Sequence, residues 1–339
     1  MIPEFYSRSS EWPVQIDRIG ELLGRVSAID QVTRRAVEVR CSNRIRSVHA
    51  SAAIEGNTLT LAQVNSLAQG TPVFAPPREV QEIENALKAY DALPNLNPWS
   101  ADDFLRAHAL LTAGLIPEAG RFRTVEVEIV NQEGEVLHTG SRADKVSQLI
   151  SELLQWGRDS GEHPVIVSSA VHFLIEQIHP FRDGNGRIGR LWQTLILSSW
   201  RPTFAWVPTE GLIHQHQRAY YEELQASRVP EIDAKPFIDY MLTILIEALR
   251  SYEAQVSEEA ASSKDALKRS IARSTRASAQ LEGRTVPSSF ERSAQAEEFL
   301  AERVSAAFSK PRWTRRPLQD ETSAADQART PHPGRKGDS

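Results

Sequence analysis

Apolar residues recur three and four positions apart along most of the chain, the spacing of amphipathic helices. Over residues 15–53 this pattern predicts two helices, the second running through Val37, Ile45, Val48 and Ile54. Gly56-Asn57, a pair that tolerates left-handed backbone, stops it. Thr60 with Gln63 three residues on is a capping box that opens the next helix. A proline-rich loop at 72–77 leads into helices at 79–93 and 100–111. Helical pattern resumes at 145–156 and 164–178, where Val167, Val171, Leu174 and Ile178 share one face. Ile188, Leu191, Trp192, Leu195 and Ile196 form another stripe, and helices are expected at 212–227 and 234–260. One segment changes period: from Thr124 through Val125, Val127 and Ile129 to Val130, polar and apolar residues alternate. With Glu133-Gly134 as a turn and Val136-Leu137 returning, it predicts a β-hairpin. The expected class is therefore mainly α with one hairpin. Beyond Lys264 the periodicity fades, which predicts a frayed helix and then disorder.

A chain of 339 residues can bury a large core, and length alone suggests two or three domains. Hydrophobic and charged fractions of 40% and 24% are those of an ordinary globular protein. No apolar run reaches the roughly 18 residues of a membrane span. The polar start lacks the order of a secretory signal. A single cysteine, Cys41, forms no internal disulfide, which points to the reducing cytoplasm. The net charge of −5 is uneven: residues 264–339 hold fifteen Lys/Arg against ten Asp/Glu, leaving 1–263 at −10. An acidic body argues against nucleic acid as the substrate, because phosphate backbones attract basic surfaces.

Candidate chemistry is concentrated in His179-Pro-Phe-Arg-Asp-Gly-Asn-Gly-Arg-Ile-Gly-Arg190. Two amphipathic helices flank it. Gly184, Asn185 and Gly186 allow successive backbone N–H groups to face one concavity at the start of the second helix, a site for anions. Asp183 just before it can ligate Mg²⁺ together with phosphate oxygens. Arg187 and Arg190 sit three apart, within reach of phosphate. His179, across the turn, can take a proton from a hydroxyl near neutral pH. Each part alone has an ordinary structural explanation; the conjunction is what suggests a hydroxyl attacking the phosphorus of a bound polyphosphate. Phe181 reads as a core anchor for the loop.

These twelve residues resemble the signature of the Fic family, His-Pro-Phe-x-(Asp/Glu)-Gly-Asn-Gly-Arg-x-x-Arg, at every specified position, and the likeness extends over residues 46–253. The resemblance implies a Fic-type helical bundle with a hairpin flap. It also implies transfer of AMP from ATP, with Mg²⁺, to a Ser, Thr or Tyr hydroxyl of a protein target, the chain itself among the candidates. His179 would be the base and Asp183 the metal ligand. The stretch from Asp183 to Arg190, Ile188 and Gly189 included, would bind nucleotide, with Arg190 on the γ-phosphate. Tyr220, Tyr221 and Leu224 resemble the wall beside the adenine, and equally fit a core aromatic pair. Thr124, Val125, Val127 and Ile129 lie where the family's flap aligns its target.

Upstream, Ser51-Ala-Ala-Ile-Glu55-Gly56 is similar to the family's inhibitory motif, (Ser/Thr)-x-x-x-Glu-(Gly/Asn), placed before the catalytic motif as in the self-inhibited class. A glutamate at a helix C-terminus opposes the helix dipole, a cost offset if Glu55 pairs with an arginine, Arg190 by resemblance. On that reading residues 1–60 carry the inhibitory helix, 61–263 the catalytic core (its centre at 101–250), and 264–339 a basic tail. Relatives often continue into a winged-helix domain, and 264–339 lacks its pattern; relatives also often pair, so a homodimer is expected as an option. Gly186 where a phosphorylating subgroup has Lys argues against that subgroup. Two alternatives remain: an enzyme that removes AMP, with Glu55 positioning a water, and a non-catalytic interaction protein on the same fold.

Overall fold

The computed structural model describes residues 5–30, 36–130, 136–229 and 231–281. Among them are eleven α-helices and one two-stranded antiparallel hairpin. The chain divides into two units, Met1–Arg269 and Ser270–Ser339, and of the second only the end of the last helix, to Leu281, is described. The expectation of disorder near the C-terminus concerns residues 282–339, outside the described residues.

The centre is a pair of helices, α7 (Pro164–Ile178) and α8 (Asn185–Trp200). Along α7 the run from Val165 to Glu176, and then Ile178, is buried, so this helix is covered on all sides. On α8 the stripe Ile188, Leu191, Trp192, Leu195 and Ile196 is buried as the spacing predicts, yet Arg187, Arg190, Gln193 and Thr194 are buried too. A covered guanidinium needs partners, so those arginines mark the part of α8 that packing alone does not explain.

Around this pair stand α1 (Trp12–Asp30), α2 (Ala36–Ile54), α3 (Leu61–Ala68), α4 (Pro77–Ala92), α5 (Ala101–Thr112) and α6 (Val146–Asp159). The C-terminal half adds α9 (Thr209–Gln215), α10 (Gln217–Ala226) and α11 (Lys235–Leu281). Local chemistry sets several boundaries. The Thr60 capping box is formed as the sequence predicts, with both reciprocal bonds present. Ser100 caps α5 by accepting from the Asp103 N–H at 3.2 Å. Pro77 occupies the first turn of α4, where a missing N–H costs nothing. The α1 helix is fixed to α11 by Trp12 Nε1 donating to Asp239 at 2.6 Å and by the Arg25–Glu253 pair.

Three expectations need correction. The helix expected at 212–227 is two helices, broken at His216. The last helix does not fray at Lys264 but continues to Leu281. The strand expected from Thr124 begins only at Glu128: β1 (Glu128–Val130) pairs with β2 (Val136–Thr139), Glu128 opposite Thr139 and Ile129 opposite His138. Thr124, Val125 and Val127 precede the strand, because Arg123 takes the Val125 carbonyl and bends the chain there. The expected turn at Glu133-Gly134 lies outside the described residues. No helix among the described residues is long and apolar enough to cross a membrane.

Candidate active site

His179 is the C-cap of α7, with φ 52° and ψ 63°. Among the described residues it is the one non-glycine side chain in the left-handed region, a conformation that costs roughly 1–2 kcal/mol. Arg123, its side chain wholly buried, holds it there. Nε donates to the His179 carbonyl at 2.7 Å, Nη1 to Val125 at 2.8 Å, and Nη2 to Ile178 at 3.3 Å and to Ser141. One guanidinium thus caps the carbonyl end of α7 and ties both feet of the hairpin to it. His138 of β2 adds a bond from Nε2 to the Gln177 carbonyl at 2.7 Å. Burial, with His138, Arg228 and Arg123 nearby, lowers the His179 pKa to about 4, against the opposing pull of the Glu176 carbonyl. The imidazole is therefore neutral at pH 7, the form that accepts a proton. Its Nδ1 is buried without a well-formed hydrogen bond.

The turn after His179 is braced from within. Phe181 is wholly buried and stacks on His108 with ring centres 3.5 Å apart, as its expected anchoring role requires. The Asn185 side chain clamps the same residue, accepting from the Phe181 N–H and donating to its carbonyl, both at 2.9 Å. So Asn185 contributes rigidity to the turn through its side chain. Gly184, at φ 85°, is the N-cap of α8, a conformation that suits glycine. His108 fixes the neighbouring peptide. The Gly120 N–H donates to its Nδ1 at 3.0 Å, which leaves the proton on Nε2 to bond the Asp183 carbonyl at 2.9 Å. The Asp183 carboxylate stands partly exposed at the turn, bonded by the Gly184 N–H at 2.6 Å and by Arg187 Nη2 at 3.1 Å, with Arg78 3.6 Å away. Among the described residues no three metal-ligating side chains converge. A single accessible carboxylate beside an anion nest still fits Mg²⁺ brought in with phosphate oxygens, since that ion commonly takes only one or two protein carboxylates.

The two arginines diverge. Arg187 turns back to Asp183 and towards Glu82, 4.0 Å away. Arg190, wholly buried, reaches α2: Nη2 donates to Glu55 Oε1 at 2.7 Å and to the Ser51 carbonyl at 3.0 Å, and Nε to Ser51 Oγ at 3.1 Å. Burial opposes the Arg190 charge most strongly, but Glu55, Tyr220 and Glu176 together outweigh it and hold the pKa above the ordinary value. Glu55 also lies directly over the nest, where a Cβ on Gly186 would collide with its Oε1 and sit 3.0 Å from Arg190 Nη1. A protein carboxylate thus lies against Gly186 and Arg190, beside the concavity that the turn offers to an anion. Gly189 faces His172 and Glu176 in the same way, while Ile188 is plain core.

Of the tyrosine pair, Tyr220 is core: it is buried, with its hydroxyl 3.0 Å from His172 Nε2. Leu224 is buried likewise. Only Tyr221 keeps an exposed face, and its titration feels Glu55 and Arg190 after burial itself. Of the wall expected of Tyr220, Tyr221 and Leu224, one ring is therefore accessible. Val125 and Thr124 are exposed at the foot of the hairpin, and Ile129 is paired in it.

The Fic/DOC family model matches residues 98–197, which span α7, the turn and most of α8. The crystal structure of a Fic family protein from Desulfovibrio desulfuricans G20 superposes with a TM-score of 0.70 at 41% identity, over 75% of this chain and 77% of that one. The chain belongs to the Fic family. Curated relatives include the proteins named protein adenylyltransferase Fic of Culex quinquefasciatus, 28% identical over 256 residues, and of Aedes aegypti, 27% identical over 256. Those alignments cover 72% of this chain and 48% of each relative, so the chain spans about half the length of the curated relatives it matches. The Fic-1 structure of Caenorhabditis elegans shares the fold, with a TM-score of 0.57 at 24% identity over 72% of each chain.

This Fic site includes residues that sequence patterns did not single out. Arg123, His108, Arg78 and Glu82 lie far from the motif in sequence and look like ordinary helix or loop residues. Glu176 is buried three positions before His179, and burial followed by repulsion from Glu55 raises its pKa to about 7, with Arg190 and Arg228 opposing. A glutamate inside the apolar run 165–178 was the available signal, because a carboxylate there breaks an otherwise unpolar helix.

Proposed function

We propose that this Fic protein transfers AMP from ATP to a hydroxyl of a protein, and that Glu55 keeps it in an inactive state. The observation that carries the proposal is the 2.7 Å pair between Glu55 and the buried Arg190, set directly over the anion nest. The nest, the dipole of α8 and a freed Arg190 would bind the polyphosphate. Neutral His179 would accept the proton of the attacking Ser, Thr or Tyr hydroxyl. Its oxygen then bonds to the α-phosphorus as the bond to pyrophosphate breaks. Asp183 would hold Mg²⁺, which supplies charge neutralisation on the phosphates. The hairpin, tied to His179 through Arg123, would align the target backbone along its edge. While Glu55 holds Arg190, the γ-phosphate lacks its cation and like charges meet over Gly186, so productive binding is blocked.

The reading of residues 1–60 as regulatory, 61–263 as catalytic and 264–339 as an appendage follows from the same proposal. The single exposed Cys41 supports a reducing compartment such as the cytoplasm. Names of the curated relatives support the adenylyl group as cargo. Glu55→Gly is the test: with ATP labelled at the α-phosphate the variant is expected to label itself strongly, the wild type weakly, and Glu55→Gly with His179→Ala not at all. Labelling by UTP or GTP instead of ATP would overturn the nucleotide assignment, and a silent Glu55→Gly would overturn the reaction.

A further inference from the structure

The inhibitory helix α2 touches α8 mainly near its own end, through Ser51 and Glu55, and packs chiefly against α9 and α4. What holds Glu55 over Arg190 must therefore be sought on α9 and α4. There a buried carboxylate, Glu210, stands in the first turn of α9. Three hydroxyls from three different helices donate to it. Ser47 of α2 reaches Oε2 at 2.8 Å, while Tyr90 of α4 and Thr194 of α8 reach Oε1 at 2.6 and 3.0 Å. Burial and the Glu210 charge hold the Tyr90 hydroxyl protonated, as a donor must be, and the Ser51 side chain bonds the same hydroxyl.

Ser47, Ser51 and Glu55 are spaced four apart, so they form one ladder along a single face of α2. Its rungs meet Glu210, then Tyr90 and Arg190, then Arg190 again. Thr194 lies one turn beyond Arg190 on α8, so Glu210 bridges the same two helices that Glu55 and Arg190 bridge, one turn further along. The second tie, Gln217 Nε2 to the Ile54 carbonyl at 3.0 Å, secures the far end of α2 from α10.

The geometry points to Glu210 as the positioning residue that sets the register of α2 on α8 and so keeps Glu55 on Arg190. This rests on the proposed inhibition, and it adds that the switch is governed from a buried carboxylate outside the nucleotide site. Removing the Ser47 donor leaves Glu210 short of a partner only while α2 is docked. The docked state alone is penalised. Hydrogen bonds to charged groups are among the stronger ones, so each lost bond shifts the docking equilibrium by about tenfold or more.

The experiment uses the full chain with Glu55 intact. Ser47→Ala is expected to raise self-labelling from α-labelled ATP several-fold to tenfold over wild type, and Glu210→Ala more. Ser42→Ala, at an exposed position of the same helix, is expected to leave it unchanged. Combined with Glu55→Gly, neither Ser47→Ala nor Glu210→Ala should add further gain, since the contact they loosen is already gone. Hydrogen exchange of the Ala50 to Ile54 amides, measured without nucleotide, should quicken several-fold in Ser47→Ala. Wild-type labelling in Ser47→Ala and Glu210→Ala beside a strongly labelling Glu55→Gly overturns the role of Glu210 and leaves the reaction intact. If Glu55→Gly is itself silent the proposed reaction fails, and exchange decides alone: unchanged protection in Ser47→Ala overturns the register role, faster exchange supports it.

Discussion

The two ends of the twelve-residue turn are built differently. At the His179 end the main supports are internal and buried: Arg123 bonds four carbonyls, Asn185 clamps Phe181, and His108 pins the Asp183 peptide. At the Arg190 end the guanidinium is equally buried, but its charge is balanced by Glu55, a side chain one-third exposed and carried on another helix. The first end offers no exchangeable partner. The second offers one, and a phosphate could take its place. On the proposed function, preorganisation and switching are thus separated along one short segment, with catalysis at the rigid end.

The sharpest break of this contrast is chemical. In the Glu55→Gly background, His179→Ala should cut the rate of self-labelling by about 10² to 10⁴, the range for loss of a general base. Next in size is the support behind it. Arg123→Lys keeps the charge but loses the fork, and misplacing the base by about an ångström should cost around 10²-fold in rate. Affinity for Mg-ATP by calorimetry should stay within about twofold, because Arg190 and the nest are untouched. An equal fall in affinity would show that rigidity is shared by both ends.

A third prediction concerns stability and pH. Glu176 holds its proton more tightly folded than unfolded, so its contribution is fully present below its ordinary pKa and is lost as pH rises through about 7. Between pH 5 and 8 the protein should lose on the order of 2–3 kcal/mol from this group, measured by urea unfolding, and Glu176→Gln should remove most of that slope. The smallest effect is the most local. Gly186→Ala should destabilise the Glu55-intact protein by about 1–2 kcal/mol through collision with Oε1, and much less when Glu55→Gly is already present. Additive losses would place Glu55 away from the nest.

The bundle was legible wherever one helix face is apolar and the caps are local. Pro164–Ile178, Thr60 with Gln63, and Ser100 needed only short-range pattern, and the structure forms each as the sequence predicts. The motif was legible because its groups are contiguous. Illegible were features fixed by partners distant in sequence. Alternation alone extends the strand back to Thr124, but Arg123 bends the chain at Val125. Tyr220 carries a hydroxyl that suits a binding wall, yet His172 accepts it in the core. Glu210 reads as an ordinary acidic residue of a helix first turn until Ser47, Tyr90 and Thr194 converge on it from 163, 120 and 16 residues away.

The left-handed backbone at His179 has a consequence for anyone wanting an inert copy of this protein. Replacing His179 by Ala is expected to silence it but keeps an L side chain in a conformation that disfavours one. Glycine at the same place removes the imidazole and relaxes the backbone, so His179→Gly should be both dead and, within about 1 kcal/mol, no less stable. By the measure of folding alone, histidine is the wrong residue there. On the proposed mechanism its presence is a running cost accepted for chemistry, and a chain relieved of the chemistry would be free to drop it.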